Sequence, residues 1–206
     1  MNKITLRKSQ PSERALATSL IYNSGPPSFE FVFKNAKNSA IDFLNYAFIR
    51  EGGEFSYDNH CSLYLNDEMV GIGSAFGAKQ GQGFTLYEAR NIIGFYKLKC
   101  TSVIYHGLQI ERLIKLPKKN EVALAHLAIK PEYQGKGLGT ELINTLMQTV
   151  ENRVEKIFVL DVSEENPRAK KLYERLGFVV TKEMKSTLKN RYSYVANHTR
   201  MELNHR

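Results

Sequence analysis

The clearest hydrophobic pattern lies in the last third of the chain. Residues 122–129, VALAHLAI, are almost unbroken apolar sequence, the pattern of a strand covered on both faces. From Gly137 the period changes. Leu138, Leu142, Leu146 and Val150 recur every four residues, with Ile143 and Met147 beside them, and predict a helix to about Asn152. Residues 156–163, KIFVLDVS, return to a strand pattern. Asn166 then suits a helix N-cap and Pro167 a first helical position. Ala169, Leu172, Tyr173 and Leu176 form the apolar stripe of that helix, and Gly177 stops it. Residues 178–184 give a further strand, and residues 191–203 alternate loosely as a last one. Strand, helix, strand, helix, strand with short links is α/β organisation.

Upstream the pattern is less regular. Residues 2–7 read as a first strand, ending near the breaker Ser9-Gln10-Pro11-Ser12, with Pro11 tolerated in a first helical turn. Ala15, Leu16, Leu20 and Ile21 keep helical spacing until Ser24-Gly25-Pro26-Pro27 interrupts it. Residues 39–49 predict another helix, with Leu44, Ala47 and Phe48 on one face. Residues 61–65 and 69–76 form a hairpin around Asn66-Asp67-Glu68, which makes the sheet mixed. The GAKQGQG stretch, with Gly77, Gly81 and Gly83, reads as a flexible connector, since no Lys-Thr signature follows it. Across residues 84–114, Leu86, Ala89, Ile93, Tyr96, Cys100 and Val103 fall near helical spacing, with Gly94 and Gly107 as weak points. This stretch is expected as a helical insertion, within a single domain spanning residues 1–206.

Composition narrows the class more than the chemistry. The chain has 206 residues, 42% of them hydrophobic and 24% charged, which excludes disorder and a disulfide scaffold. Cys61 and Cys100 belong to no CxxC pair and read as reduced thiols of a cytoplasmic protein. The start, MNKITLRKSQPSERA, has no apolar signal segment, and no run approaches the ~18 apolar residues of a membrane span, so no membrane role is expected. The net charge of +8 is spread along the chain: 7 basic and 6 acidic residues in 1–60, 8 and 4 in 61–120, 14 and 11 in 121–206. A nucleic-acid partner is not expected from so diffuse an excess. It fits a solvated basic surface or an anionic ligand such as a phosphorylated cofactor.

The chemistry concentrates in PEYQGKGLGTEL, residues 131–142. A strand ends, a glycine-rich turn follows and a helix opens. Gly135, Gly137 and Gly139 let several N–H groups converge at the positive end of that helix, an anion site suited to a pyrophosphate. Lys136 adds charge beside it. The spacing matches neither G-x-x-x-x-G-K-[ST] nor G-x-G-x-x-G. Elsewhere no H-E-x-x-H and no zinc-spaced Cys/His cluster occurs, so no metal site is expected. Gly71-Ile72-Gly73-Ser74 does not complete G-x-S-x-G, because position 76 is Phe76.

The full run LAIKPEYQGKGLGTELI, with Gln134-x-x-Gly137-x-Gly139, resembles the acetyl-CoA motif of the GNAT superfamily of N-acetyltransferases. NPRAKKLYERLGF, residues 166–178, resembles the second signature of that family. Together they cover roughly residues 121–185, and residues 84–114 match no family feature. The resemblance implies a mixed α/β sheet whose strands at 122–129 and 156–163 splay apart around the pantetheine arm of acetyl-CoA. It places that arm against Leu127, Ala128 and Ile129, and the pyrophosphate on Gln134, Gly135, Lys136, Gly137, Leu138, Gly139 and Thr140. Asn166 is implied beside the arm and Tyr173 as the general acid. The implied reaction moves acetyl from acetyl-CoA to a primary amine of a small molecule or peptide. The alternative is a non-catalytic acyl-CoA sensor, and a homodimer is compatible with either.

Chemistry supports the role of Tyr173. A phenol, with reference pKa about 10, stays protonated at neutral pH and can donate to a departing thiolate, whose reference pKa is about 8.5. The competing role is a core aromatic on the Leu172/Leu176 stripe. The general base stays open. By alternation Ile129, Leu127, Ala125, Ala123 and Glu121 share one face and His126 lies on the other. The family's usual base positions fall on Ala125 and Ala123, which carry no titratable group. Glu121, Glu88, His106 or a water chain are left, with His126 read as a core histidine.

Overall fold

The computed structural model describes residues 3–150 and 156–204. Seven strands form one mixed sheet: β1 (Ile4–Lys8), β2 (Cys61–Leu65), β3 (Glu68–Gly77), β4 (Glu121–Ile129), β5 (Ile157–Ser163), β6 (Val179–Met184) and β7 (His198–Asn204). Their order across the sheet is β1-β2-β3-β4-β5-β7-β6. Only β4 and β5 run parallel, and they pair over just three positions, Glu121 with Ile157 to Ala123 with Val159. Beyond Ala123 they separate, so the expected splay is present. Burial along β4 follows from it: Glu121, Val122 and Leu124 are buried, but residues 125–129 are half-open, not covered on both faces as the apolar run predicts.

Helices cover both faces. On one face α6 (Leu138–Gln148) and α7 (Pro167–Arg175) pack Leu142, Leu146 and Tyr173 against Val122, Leu124, Phe158 and Leu160. The helix end expected near Asn152 lies outside the described residues. On the other face lie α1 (Arg14–Asn23), α2 (Pro26–Phe33), α3 (Ala40–Phe48), α4 (Ala78–Tyr96) and α5 (Cys100–Leu113). Their core is rich in aromatic rings, with Phe31, Phe43 and Phe48 fully enclosed.

Several local features follow the sequence closely. Ser39 and Asp42 cap α3 reciprocally, each side chain accepting the other's backbone N–H. Asn66 and Asp67 take φ of 50° and 65°, the tight two-residue turn that matches the twist of a hairpin. Pro26-Pro27 stops one helix and, with Pro26 in the first turn, also starts α2, which the punctuation pattern conceals.

Other expectations are corrected. The GAKQGQG connector is helical: α4 begins at Ala78, and at Gly81 only hydrogen separates the helix from Phe76 and Leu116, where a Cβ would lie 3.3 Å from each. The helical stretch breaks not at Gly94 or Gly107 but at Lys97, whose φ is 53°, leaving α4 and α5 as two helices. The last strand starts at His198 rather than residue 191. Residues ahead of it bond to α2 instead of a ladder, Asn190 Nδ2 donating to the Phe31 carbonyl and Ser193 Oγ to that of Pro27. The first strand is observed from Ile4, and expected residue Asn2 lies outside the described residues. Cys61 and Cys100 are both free thiols. Among the described residues no helix is long and apolar enough to cross a membrane.

Candidate active site

The opening between β4 and β5 leads directly to the glycine turn. Gly135 and Gly137 both have positive φ, 79° and 82°, and Gly137 is the N-cap of α6. With glycine there, the chain reverses tightly and the first N–H groups of α6 face outward, without a side chain over them. Gly139 lets α6 approach α7, since a Cβ there would stand 3.1 Å from Leu172. Gln134 ties the turn to the strand, its Nε2 donating to the Ile129 carbonyl at 3.0 Å. Its Oε1 accepts from Arg168 of α7 at 3.2 Å, so the two sequence motifs meet through one side chain. Arg168 was not singled out by the sequence, and only this contact shows its place. Lys136 is exposed and lies over the Tyr133 ring, 4.9 Å from its centre, beside the turn. Leu138 is buried and Thr140 half-buried in the first turn of α6.

The remaining expected residues frame the opening. Leu127 and Ile129 pack with the α6 side of the sheet, Ala128 with the other core. Asn166 caps α7, its Oδ1 accepting from the Ala169 N–H at 3.0 Å. That use of Oδ1 is structural and leaves its amide N–H₂ for other contacts. Tyr173 is buried beside Phe178, ring centres 6.1 Å apart, and burial pushes its phenol up to about 12. Among the described residues its hydroxyl has no hydrogen-bond partner.

The base candidates separate clearly. Glu121 is held by Arg200 at 2.9 Å and Lys118 at 3.2 Å, and those contacts hold its carboxyl below the ordinary range against burial, which pushes the other way. It is a structural anion at the closed end of the β4–β5 pair. His106 packs on Phe31, ring centres 4.9 Å apart, and half-burial lowers its pKa. Glu88 of α4 accepts from the Phe55 N–H at 3.5 Å and so holds the loop ahead of β2; burial and Glu54 push it up to about 8.

His126 is the correction that matters most. Its φ is 53°, and the β3–β4 register shifts there: Ile72 faces Ala128, but Ser74 faces Ala125. Two steps on β3 oppose three on β4, which is a β-bulge. Alternation therefore fails across it. Ile129 shares a face with Leu124, while His126 turns to the same side as Ala123 and Ala125, among Phe29 and Phe55. A strand pattern carries no mark of a bulge, and His126 was set on the far face and read as a core histidine for that reason. Its partners, His60 and Glu54, lie more than sixty residues away in sequence and are invisible to spacing.

Comparison with known proteins agrees with this geometry. The profile described as "Acetyltransferase (GNAT) family" matches residues 33–178. An uncharacterized N-acetyltransferase of Methanocaldococcus jannaschii is 37% identical over 73 residues, 35% of this chain and 32% of that protein. The [ribosomal protein bS18]-alanine N-acetyltransferase of Escherichia coli K12 is 39% identical over 59 residues, 29% of this chain and 40% of that protein. The chain thus spans about a third of the length of the curated relatives it matches. An N-acetyltransferase from Staphylococcus aureus Mu50 shares the fold over 97% of this chain and 100% of its own, with TM-score 0.70 and 16% identity. So does yncA of Salmonella typhimurium, solved with its cofactor acetyl-CoA, over 98% and 94%, with TM-score 0.56 and 16% identity.

Proposed function

The chain belongs to the GNAT family of acetyltransferases, and on that premise we propose that it transfers acetyl from acetyl-CoA to a primary amine by direct attack. The observation that carries this reading is the opening between β4 and β5 ending on the Gly135–Gly139 turn. Backbone groups freed where the two strands part are unpaired across the gap, and a pantetheine arm, itself built of amides, suits them. The first turn of α6 supplies several N–H groups and a positive dipole end for the pyrophosphate. Thr140, Leu138 and Lys136 surround that turn, and Asn166 borders the opening from α7.

Tyr173 would serve as the donor to the departing sulfur. With its phenol pushed up to about 12, it remains a donor at every working pH. Complete transfer to a thiolate near 8.5 runs uphill, so its contribution is a hydrogen bond to the developing charge. The acceptor amine arrives from the α1–α5 side, opposite the glycine turn. Named acceptors of relatives, such as the alanine of ribosomal protein bS18, bear on this chain only as examples of a primary amine. The second reading, a sensor that binds acetyl-CoA without transfer, draws on the absence of a titratable group at Ala123 and Ala125. Release of CoA thiol over a panel of peptide N-termini, lysine, amino sugars and polyamines, with mass spectrometry of the products, separates the two. An acetylated amine supports the enzyme; saturable acetyl-CoA binding with no product across the panel supports the sensor.

A further inference from the structure

The proton of the reacting amine has no acceptor at the strand positions Ala123 and Ala125, yet a fixed acceptor stands one bulge away. His60, immediately ahead of β2, is fully buried, and its Nδ1 lies 2.8 Å from the Ser56 carbonyl. A carbonyl only accepts, so His60 Nδ1 carries the proton and its Nε2 holds a lone pair. That Nε2 lies 3.0 Å from His126 Nδ1, with the two rings 20° from coplanar. His126 Nδ1 must then be the donor, which leaves the lone pair of the neutral ring on His126 Nε2. The Ser56 carbonyl therefore sets the tautomer of both rings.

His126 Nε2 lies 3.7 Å from Glu54 Oε1, a little long for a hydrogen bond and short enough for an ion pair once the ring is protonated. The His126 side chain is 10% exposed and that of Glu54 35%, so the order from His60 through His126 to Glu54 runs from core to solvent. The backbone supports a role beyond packing. A non-glycine residue at φ 53° costs roughly 1 kcal/mol, and such residues gather at functional sites. Here the bulge turns His126 to the α1–α5 side of the sheet, beside the segment of β4 from which β5 has parted.

We propose that His126 is the general base, that His60 is the residue that positions it, and that Glu54 carries the proton on to solvent. The assignment rests on the acetyl-transfer reading above. In the step, the lone pair of a neutral amine forms the C–N bond to the thioester carbonyl. The proton of the resulting ammonium passes to His126 Nε2. The C–S bond breaks with its electron pair on sulfur, and the thiolate is protonated from solvent while Tyr173 stabilises it. The imidazolium then yields its proton to the Glu54 carboxylate. Burial keeps both histidines below the ordinary imidazole range, His60 at about 4, while desolvation and the charge of Glu111 raise Glu54 to about 7. Transfer from His126 to Glu54 is accordingly downhill. Other ionisable groups acting on the relay are Glu88 and Glu111 toward Glu54, and Lys8 and Asp58 toward His60.

The test has two arms. Imidazole nitrogen NMR of the free protein reads the tautomers without any acceptor. Both rings should be neutral with the proton on Nδ1 at pH 7; a proton on His126 Nε2, or a charged ring, overturns the proposal. The second arm uses whichever amine the wild-type enzyme acetylates. His126→Asn keeps a side chain that tolerates positive φ and should lower kcat at least ~10²-fold with acetyl-CoA affinity unchanged, and added imidazole should restore part of the rate. His60→Gln should shift the pH profile, and Glu54→Gln should remove an acid limb near pH 7. Wild-type turnover and pH profile in His126→Asn would overturn the assignment. Loss of acetyl-CoA binding by the wild type would instead overturn the acetyl-transfer reading, and the tautomer arm still judges the relay.

Discussion

Tyr173 is fixed by packing against Phe178, so removing its hydroxyl alone isolates the chemistry from the fold. Tyr173→Phe should lower kcat by ~10²-fold, the scale of one lost hydrogen-bond donor to the developing charge, and leave acetyl-CoA affinity near wild type. The raised phenol also changes what the pH profile can report. Its limb lies near 12, so wild type and Tyr173→Phe should differ in rate but share the same profile between pH 6 and 9. Steady-state kinetics over that range check both statements, and equal rates would return Tyr173 to being a core aromatic. Much of this residue-level picture was legible in the sequence. Gly137 and Asn166 lie on short-range patterns that a helix start or cap demands, while Gln134 and Tyr173 were singled out through the family resemblance. His126 was weighed only as a core histidine, and its link to His60 and Glu54 was not legible, because a bulge and a long-range side-chain pair leave no local periodic trace.

At the scale of elements, β4, β5 and β7 are joined by one charge cluster. Arg200 of β7 donates to Glu121 of β4 at 2.9 Å, to Asp161 of β5 at 3.1 Å and to the Lys115 carbonyl at 3.1 Å. The three strands are thus pinned near where β4 and β5 still pair, and the opening beyond them is held from one side. Arg200→Leu leaves Asp161 without its cation and Glu121 with only the exposed Lys118, and should cost about 3–5 kcal/mol in denaturant unfolding. The carboxylates differ. Glu121 lies below its ordinary range, so its stabilisation is present above the unfolded value and is lost as pH falls. Asp161 is raised to about 6, mainly by burial, and among the described residues its Oδ1 has no hydrogen-bond partner. Its effect has the opposite sign: ionisation costs stability as pH rises from about 4 to 6, by about 3 kcal/mol. Glu121→Gln should therefore destabilise at pH 7, while Asp161→Asn should match or exceed wild type there and flatten the stability curve between pH 4 and 6. Thermal melts across that range decide it. The sequence offered Glu121 as a candidate base; the ion pair explains why it is committed to structure instead. The same scale shows why α4 was mistaken at its start: Gly81 and Gly83 favour a loop locally, and packing of Phe76 and Leu116 on the glycine side overrides that preference.

For the whole molecule, the sheet divides the work by face. The glycine turn, α6, α7 and Tyr173 occupy one side, and the histidine relay, Glu54 and the aromatic core of α1–α5 the other. The last third of the chain, with its strong periods and short links, was read correctly in the order of its elements, and the splay followed from the family resemblance; the half-open end of β4, its bulge and the start of β7 were not read. The first half was read in pieces, because α2, α4 and α5 owe their limits to contacts between distant segments. The most direct question concerns the side proposed to hold acetyl-CoA. Calorimetric titration of acetyl-CoA into the wild type and Gly137→Val answers it. Gly137 has φ 82° with no atom within 4 Å of an added Cβ, so space at the Cβ is open; a valine there strains the backbone by roughly 1–2 kcal/mol and adds bulk beside the first N–H groups of α6. Wild type should bind at a single saturable site and Gly137→Val at least ~10-fold more weakly, with its thermal transition still cooperative. Equal affinity in the two proteins, or no binding to the wild type, would contradict the placement of acetyl-CoA on the glycine turn.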